Sequence, residues 1–223
     1  MSFKVEVFAP DEWAEQAAAH VGGVLPRDGV VIVTGGGTAR SLYPHLAARA
    51  DNWSEIDVFF SDERCVPPDH PHSNYRVVRE RLLHEVGPRT VHRMRGEDHP
   101  PAAAAAYDKD IRAAMERRPD LLLLGMGDDC HVAGLFAHSP ALEERQRLCA
   151  AVNRPDGMQG LTLTAPALTS ARRVLLIVTG AVKAGAVERA LKGNESPTTC
   201  PVRLFADHRA ATFLIDHEGA ADL

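Results

Sequence analysis

The chain has 223 residues, 45% of them hydrophobic and 25% charged, with 17 glycines and 15 prolines; this excludes a disordered, collagen-like or coiled-coil chain and leaves enough length to bury a sizeable core. Its 25 lysines and arginines stand against 30 aspartates and glutamates, a net charge of −5, so there is no basic surplus to hold nucleic acid or an anionic membrane surface. The first ten residues lack the charged-then-apolar pattern of a signal peptide, and no apolar run approaches the roughly 20 residues that cross a bilayer, so a cytoplasmic protein with one domain over residues 1–223 is expected.

A first strand is expected to begin near Lys4, followed by helical spacing over 13–24 and a β-branched apolar strand at 30–34. Further helices are predicted over 38–50, 74–86, 102–117 and 182–191, and further strands at 56–60, 121–124, 174–179 and 211–215. Residues 67–68, 97–101 and 153–160 read as surface loops, because Pro and Gly interrupt the periodicity on both sides. The five alanines at 102–106 open a helix that continues through Tyr107, Ile111 and Met115. Strands that are apolar throughout, and not alternating, are buried on both faces, which predicts an α/β fold with a mainly parallel sheet sandwiched by helices. In such sheets ligands bind beyond the carboxyl ends of the strands.

Those strand ends carry the polar chemistry. The strand at 30–34 leads into Thr34-Gly35-Gly36-Gly37-Thr38 at a helix start, where backbone N–H groups and the helix dipole suit a small phosphate. A tight turn with no ligand explains the same glycines equally well, and the spacing matches neither common nucleotide-binding loop. The strand at 56–60 runs into Ser61-Asp62-Glu63-Arg64-Cys65, with Ser73-Asn74-Tyr75-Arg76 further on. Charge packed directly after a buried strand suggests a pocket wall, and Arg64 and Arg76 are each able to grip an anion bidentately; a solvated loop with an Asp62–Arg64 pair is the plainer account. His70 and His72 lack a third ligand of fixed spacing, so no metal site is expected.

After the strand at 121–124 comes Gly125-Met126-Gly127-Asp128-Asp129-Cys130-His131. A histidine beside carboxylates at a glycine turn is the pattern of a general base, with His131 as base and Asp129 to orient it; a core or capping histidine is the alternative. Cys130 as nucleophile is disfavoured, because adjacent side chains diverge. Lys183 stands in the first turn of a helix, where a cation is disfavoured unless it faces a bound anion. The four cysteines, Cys65, Cys130, Cys149 and Cys200, form no C-x-x-C pair, so reduced thiols are expected.

Taken in order, the loop at 35–38, Ser61-Asp62-Glu63-Arg64-Cys65-Val66-Pro67 with Ser73-Asn74-Tyr75-Arg76, residues 125–136, Leu161-Thr162-Leu163-Thr164 and residues 180–184 resemble the 6-phosphogluconolactonase family, within the superfamily that includes glucosamine-6-phosphate deaminase. The resemblance covers nearly the whole chain. It implies a modified Rossmann-like fold and hydrolysis of 6-phospho-D-glucono-1,5-lactone to 6-phosphogluconate, the second step of the oxidative pentose phosphate pathway, with no obligatory metal or cofactor. It further implies that His131 activates water with Asp129 orienting it, that Gly35, Gly36, Gly37, Thr38 and Lys183 hold the phosphate, helped by Arg64 and Arg76, and that Asp62 is among the substrate-binding residues. The expected partner is a small phosphosugar lactone, with no nucleic acid or membrane, and a monomer or weak homodimer is expected.

The chain departs from the family pattern at three places. Cys130 replaces a glycine before the histidine, Gly160 stands where an arginine commonly precedes the Val-Thr-Leu-Thr stretch (Leu161-Thr162-Leu163-Thr164 here), and Gly37 and Ala39 replace a Ser and a Pro. A deaminase-type isomerase is the nearest rival, but it carries a glutamate five residues after the histidine, where this chain has Phe136. A sugar-phosphate sensor is the other rival; such proteins usually carry a helix-turn-helix domain, for which a first strand at Lys4 leaves no room.

Overall fold

The computed structural model describes residues 3–49 and 53–223. In chain order it runs β1 (Lys4–Phe8), α1 (Trp13–Val24), β2 (Gly29–Val33), α2 (Gly36–Ala47), β3 (Ile56–Phe60), β4 (Asp62–Arg64), α3 (Asn74–Val78), a π-helical turn (Arg79–Leu83) and α4 (His84–Val86). It continues with β5 (Thr90–His92), α5 (Pro100–Met115), β6 (Leu121–Gly125), β7 (Cys149–Asn153), β8 (Gln159–Leu163), α6 (Ala165–Thr169), β9 (Arg173–Val178), α7 (Ala184–Lys192) and β10 (Ala211–Asp216).

Seven strands form one sheet in the order β1-β10-β9-β6-β2-β3-β5, every neighbouring pair parallel. The parallel arrangement follows from the sequence: Val30–Val33, Leu121–Leu124 and Val174–Val178 are buried on both sides, and only helices on both faces can cover such strands. Helix α1 shows the matching pattern, burying Trp13, Ala17, Ala18 and Val21 along one stripe. Trp13 also donates its indole N–H to the Leu214 carbonyl at 3.1 Å, tying the helix to β10. No helix among the described residues is long and apolar enough to cross a membrane.

The expected strands and helices are all present, with shifted ends. Helix α2 begins at Gly36 and stops at Ala47; the predicted end at Ala50 lies outside the described residues. Helix α5 begins at Pro100, two residues early, because a proline in the first turn gives up an N–H that has no helical acceptor anyway. The helix expected over 74–86 is one rod interrupted by the π-helical turn.

A second, antiparallel sheet in the order β4-β8-β7 is absent from the expectation. Residues 153–160, expected as a loop, are largely its hairpin turn: Asn153 and Gln159 are paired strand residues, and the Arg154 N–H donates to the Met158 carbonyl at 2.9 Å. This sheet is joined to the main one where the Leu163 N–H donates to Ser61 at 2.8 Å and the Ser61 N–H to Val33 at 2.9 Å. It therefore stands over the carboxyl ends of β2 and β3.

Candidate active site

The site lies at the carboxyl ends of β3, β2, β6 and β9, adjacent strands in the middle of the sheet. Beyond β2 the chain turns at once into α2. Gly36 has φ +92°, a conformation cheap only for glycine, and a Cβ on Gly35 would collide with the side chain of Asn74. The buried Tyr43 hydroxyl donates to the Thr34 carbonyl at 2.5 Å and fixes the loop from beneath. The Thr38 hydroxyl lies 3.1 Å from that of Thr179, joining this loop to the end of β9. The first N–H groups of α2 have no helical acceptor, and Gly36, Gly37 and Thr38, which carry them, line the cavity.

Beyond β3, side-chain alternation along β4 sends Asp62 and Arg64 to one side and Glu63 to the other. Asp62 is buried and accepts from Ser61 Oγ at 2.8 Å and from Asn74 Nδ2 at 2.9 Å. Arg64 donates to the Asn74 side-chain oxygen and to the His72 carbonyl at 3.3 Å. Glu63 accepts from the N–H groups of Asn74 at 2.6 Å, Tyr75 at 2.8 Å and Arg64 at 2.8 Å, and from Ser73 Oγ at 2.9 Å. Burial pushes its carboxyl above the usual range against the pull of those four donors. Asn74 thus touches the glycine loop, Asp62 and Arg64 at once, a role its sequence motif suggested only as resemblance.

After β6 the chain bends at Gly125-Met126-Gly127. A Cβ on Gly127 would strike the His131 ring and the Asp129 carboxylate, so glycine is required for these two side chains to pack there. The Gly127 N–H donates to the His131 carbonyl at 2.9 Å and closes the turn. His131 Nδ1 and Asp129 Oδ1 are 2.6 Å apart. That hydrogen bond, followed by other donors, holds the Asp129 carboxyl down at about 2. The His131 ring also leans on Phe136, with centroids 4.4 Å apart.

The loop after β9 carries Lys183. Gly180 has φ +90°, and its N–H donates to both carboxylate oxygens of the buried Asp216 at 3.0 Å, which anchors the turn. Lys183 Nζ has no side-chain partner among the described residues, an unpaired cation at a cavity wall.

These loops enclose a cavity of about 260 Å³. Of the residues singled out from sequence, Gly35, Gly36, Gly37, Thr38, Asp62, Arg64, His131 and Lys183 line it, and Asp129 stands behind His131. Arg76 does not: it binds Glu80 at 2.9 Å and the Asp69 carbonyl at 3.2 Å, committed to its own helix and the preceding loop. Asn74 and Arg154 line the cavity in addition. Arg154 belongs to the segment read as a plain loop, and its one sequence signal is the missing arginine at position 160, which the hairpin brings next to it.

Residues 11–214 match the model of the glucosamine-6-phosphate isomerases/6-phosphogluconolactonase family. The 6-phosphogluconolactonase of Nostoc sp. is 34% identical over 86% of this chain and 84% of that protein, and that of Mycobacterium tuberculosis is 33% identical over 100% and 99%. Among solved structures, 6-phosphogluconolactonase from Trypanosoma cruzi superposes with a TM-score of 0.87 at 25% identity, covering 100% of this chain and 98% of that one. A monomeric glucosamine-6-phosphate deaminase shares the fold, with a TM-score of 0.86 at 21% identity and coverage of 99% and 100%. With the family model spanning most of the chain and full-length relatives above 30% identity, the chain belongs to the glucosamine-6-phosphate isomerase/6-phosphogluconolactonase family.

Proposed function

We propose that this protein hydrolyses 6-phospho-D-glucono-1,5-lactone to 6-phospho-D-gluconate, the second step of the oxidative pentose phosphate pathway. The observation that carries the reading is the His131–Asp129 pair at 2.6 Å on the wall of a cavity that also holds a glycine loop, Arg64 and Lys183. A phosphate at the loop accepts from the N–H groups at the start of α2 and pairs with Lys183 and Arg64. The lactone carbonyl is thereby held at the histidine, and this remote binding supplies orientation.

His131 Nδ1 is committed to Asp129, so Nε2, bonded to no protein group among the described residues, is the nitrogen that faces water. It takes a proton from water as the oxygen attacks the lactone carbonyl carbon. The tetrahedral adduct collapses, the bond to the ring oxygen breaks, and His131 returns its proton to that oxygen. One water is consumed and the open-chain acid is released. Asp129, kept ionised, holds the ring in one tautomer and stabilises the imidazolium. An isomerase reading finds no support at Phe136, whose ring packs against His131 where acid–base chemistry would need a carboxylate.

The test generates the lactone in situ from glucose 6-phosphate and follows its hydrolysis, above the spontaneous rate, through 6-phosphogluconate dehydrogenase. His131→Ala is expected to lose at least about 100-fold in turnover, with 6-phosphogluconate binding changed less than about threefold. Equal turnover in wild type and His131→Ala overturns the assignment of the base.

A further inference from the structure

Arg154 is the residue of the cavity wall that neither the loop reading nor the reaction explains. It follows β7 in the turn of the hairpin, yet its side chain is only 9% exposed. Its stem crosses the face of Gly160 on β8: a Cβ at that glycine would lie 3.1 Å from the Glu63 carbonyl oxygen, 3.2 Å from Arg154 Cδ and 3.5 Å from Cγ. The guanidinium carbon lies 5.2 Å from the centroid of the Phe136 ring, and that ring packs on His131. Asp156 takes Nε and Nη2, both at 3.1 Å from one carboxylate oxygen. Nη1 has no protein partner among the described residues, while the side chain lines the cavity. A turn arginine with only a solvated salt bridge to make would keep its stem and head in water. This one is threaded across a glycine and seated on an aromatic face, an arrangement that fixes a fork-shaped donor for an anion.

We infer that Arg154 binds the substrate phosphate as a third cation beside Arg64 and Lys183, and that its stem, together with the Glu63 carbonyl, fills the space a side chain at position 160 would take. The inference rests on the lactonase reading for the identity of the anion. A phosphate ester carries roughly −1.5 to −2 at neutral pH, a charge that a single lysine does not neutralise, and Asp156 already claims part of the Arg154 charge. Because residues 154 and 160 reach the same space from facing sides of the hairpin, an arginine launched from position 160 is expected to replace one launched from 154.

The experiment compares wild type, Arg154→Ala, Arg154→Gln and the double variant Arg154→Ala/Gly160→Arg on 6-phosphogluconolactone and on unphosphorylated glucono-1,5-lactone. Expected for both single variants is a fall of about 30-fold in kcat/KM on the phosphorylated lactone, carried mainly by KM and equivalent to about 2 kcal/mol at 1.4 kcal/mol per tenfold. The unphosphorylated lactone is expected to change less than about twofold, and the double variant to regain most of the loss. An unchanged KM, an equal loss on both lactones, or a double variant no better than Arg154→Ala overturns the inference while leaving the lactonase reading in place. If wild type hydrolyses neither lactone, the lactonase reading falls, and calorimetric binding of inorganic phosphate decides on Arg154 separately: weaker binding in both single variants upholds it, and equal binding overturns it.

Discussion

At Cys130 the chain keeps a backbone conformation that its residue type disfavours. Its φ of +70° is in the left-handed region, where a side chain costs about 1 kcal/mol that glycine avoids. The cysteine is tolerated because its thiol is fully buried and lies 3.7 Å from the Ala186 carbonyl, so packing offsets the strain. Its side chain faces the core and not the cavity, which removes the nucleophile reading on geometric grounds and leaves His131 in place beside it. Two variants separate the effects. Cys130→Ala keeps the strained Cβ and loses the sulfur, whereas Cys130→Gly loses both. Cys130→Gly is therefore expected to be more stable than Cys130→Ala by about 1 kcal/mol, or about 2–4 °C in unfolding midpoint for a chain of this size. An alanine variant at least as stable as the glycine variant would show that the conformation carries no strain. The left-handed geometry was legible from the sequence, since the family pattern has glycine there; which way the cysteine would point was not, because that depends on α7 packing behind it.

The element that organises the site is the strand–loop–helix unit from β4 to α3, and its hinge is Glu63. All four donors at this carboxylate come from the unit itself, three of them backbone N–H groups at β4 and the start of α3. Glu63→Gln keeps the shape but brings an NH2 group against donors, leaving a buried N–H unpaired at a cost of about 1–3 kcal/mol. We expect a midpoint lowered by about 2–12 °C, together with a raised KM, because Asn74 moves with α3 and carries Arg64 and the Gly35 contact with it. A variant with lowered midpoint and wild-type KM would separate the scaffold from the site. The motif Asp62-Glu63-Arg64 was visible in sequence as a pocket wall, but the division of labour within it follows from strand alternation in β4, a three-residue strand too short to announce itself by periodicity. The same limit hid β7 and β8: Cys149–Asn153 and Gln159–Leu163 are short and mixed in polarity. The long apolar strands of the main sheet declare themselves, whereas the small sheet is defined by pairing between distant segments. Arg154 escaped for that reason, and Arg76 was misassigned to the pocket because its distance along the chain from Arg64 says nothing of which side of α3 it occupies.

Over the whole molecule, stability toward acid is set by carboxylates that the fold keeps ionised. Hydrogen bonds from Arg93 hold Glu97 down at about 2, backbone N–H groups with Arg147 hold Glu144 at about 2, and His131 does the same for Asp129. Asp28 and Asp57 are lowered by their arginine partners, Arg117 and Arg89 for the first and Arg89 for the second; Glu195 is lowered by Arg189. A carboxyl with a depressed native pKa binds fewer protons folded than unfolded, so its contribution is present above the ordinary carboxylate range and is lost as pH falls through that range toward the native value. Glu63 works the other way, since burial raises its carboxyl and protonation relieves the native state. Glu80, Asp108 and Asp156 are lowered as well, so the depressed carboxyls outnumber the raised one and the net slope is loss with acid. The unfolding midpoint is expected to stay level between pH 7 and about 5, then to fall from about pH 4.5 and continue falling toward pH 2. Because most of these partners are exposed ion pairs, 1 M salt is expected to make the fall shallower. A midpoint that holds level to pH 3 would show that these carboxylates are unpaired in solution. A fall that begins near pH 6.5 would place the sensitivity on groups that titrate there and not on these carboxylates.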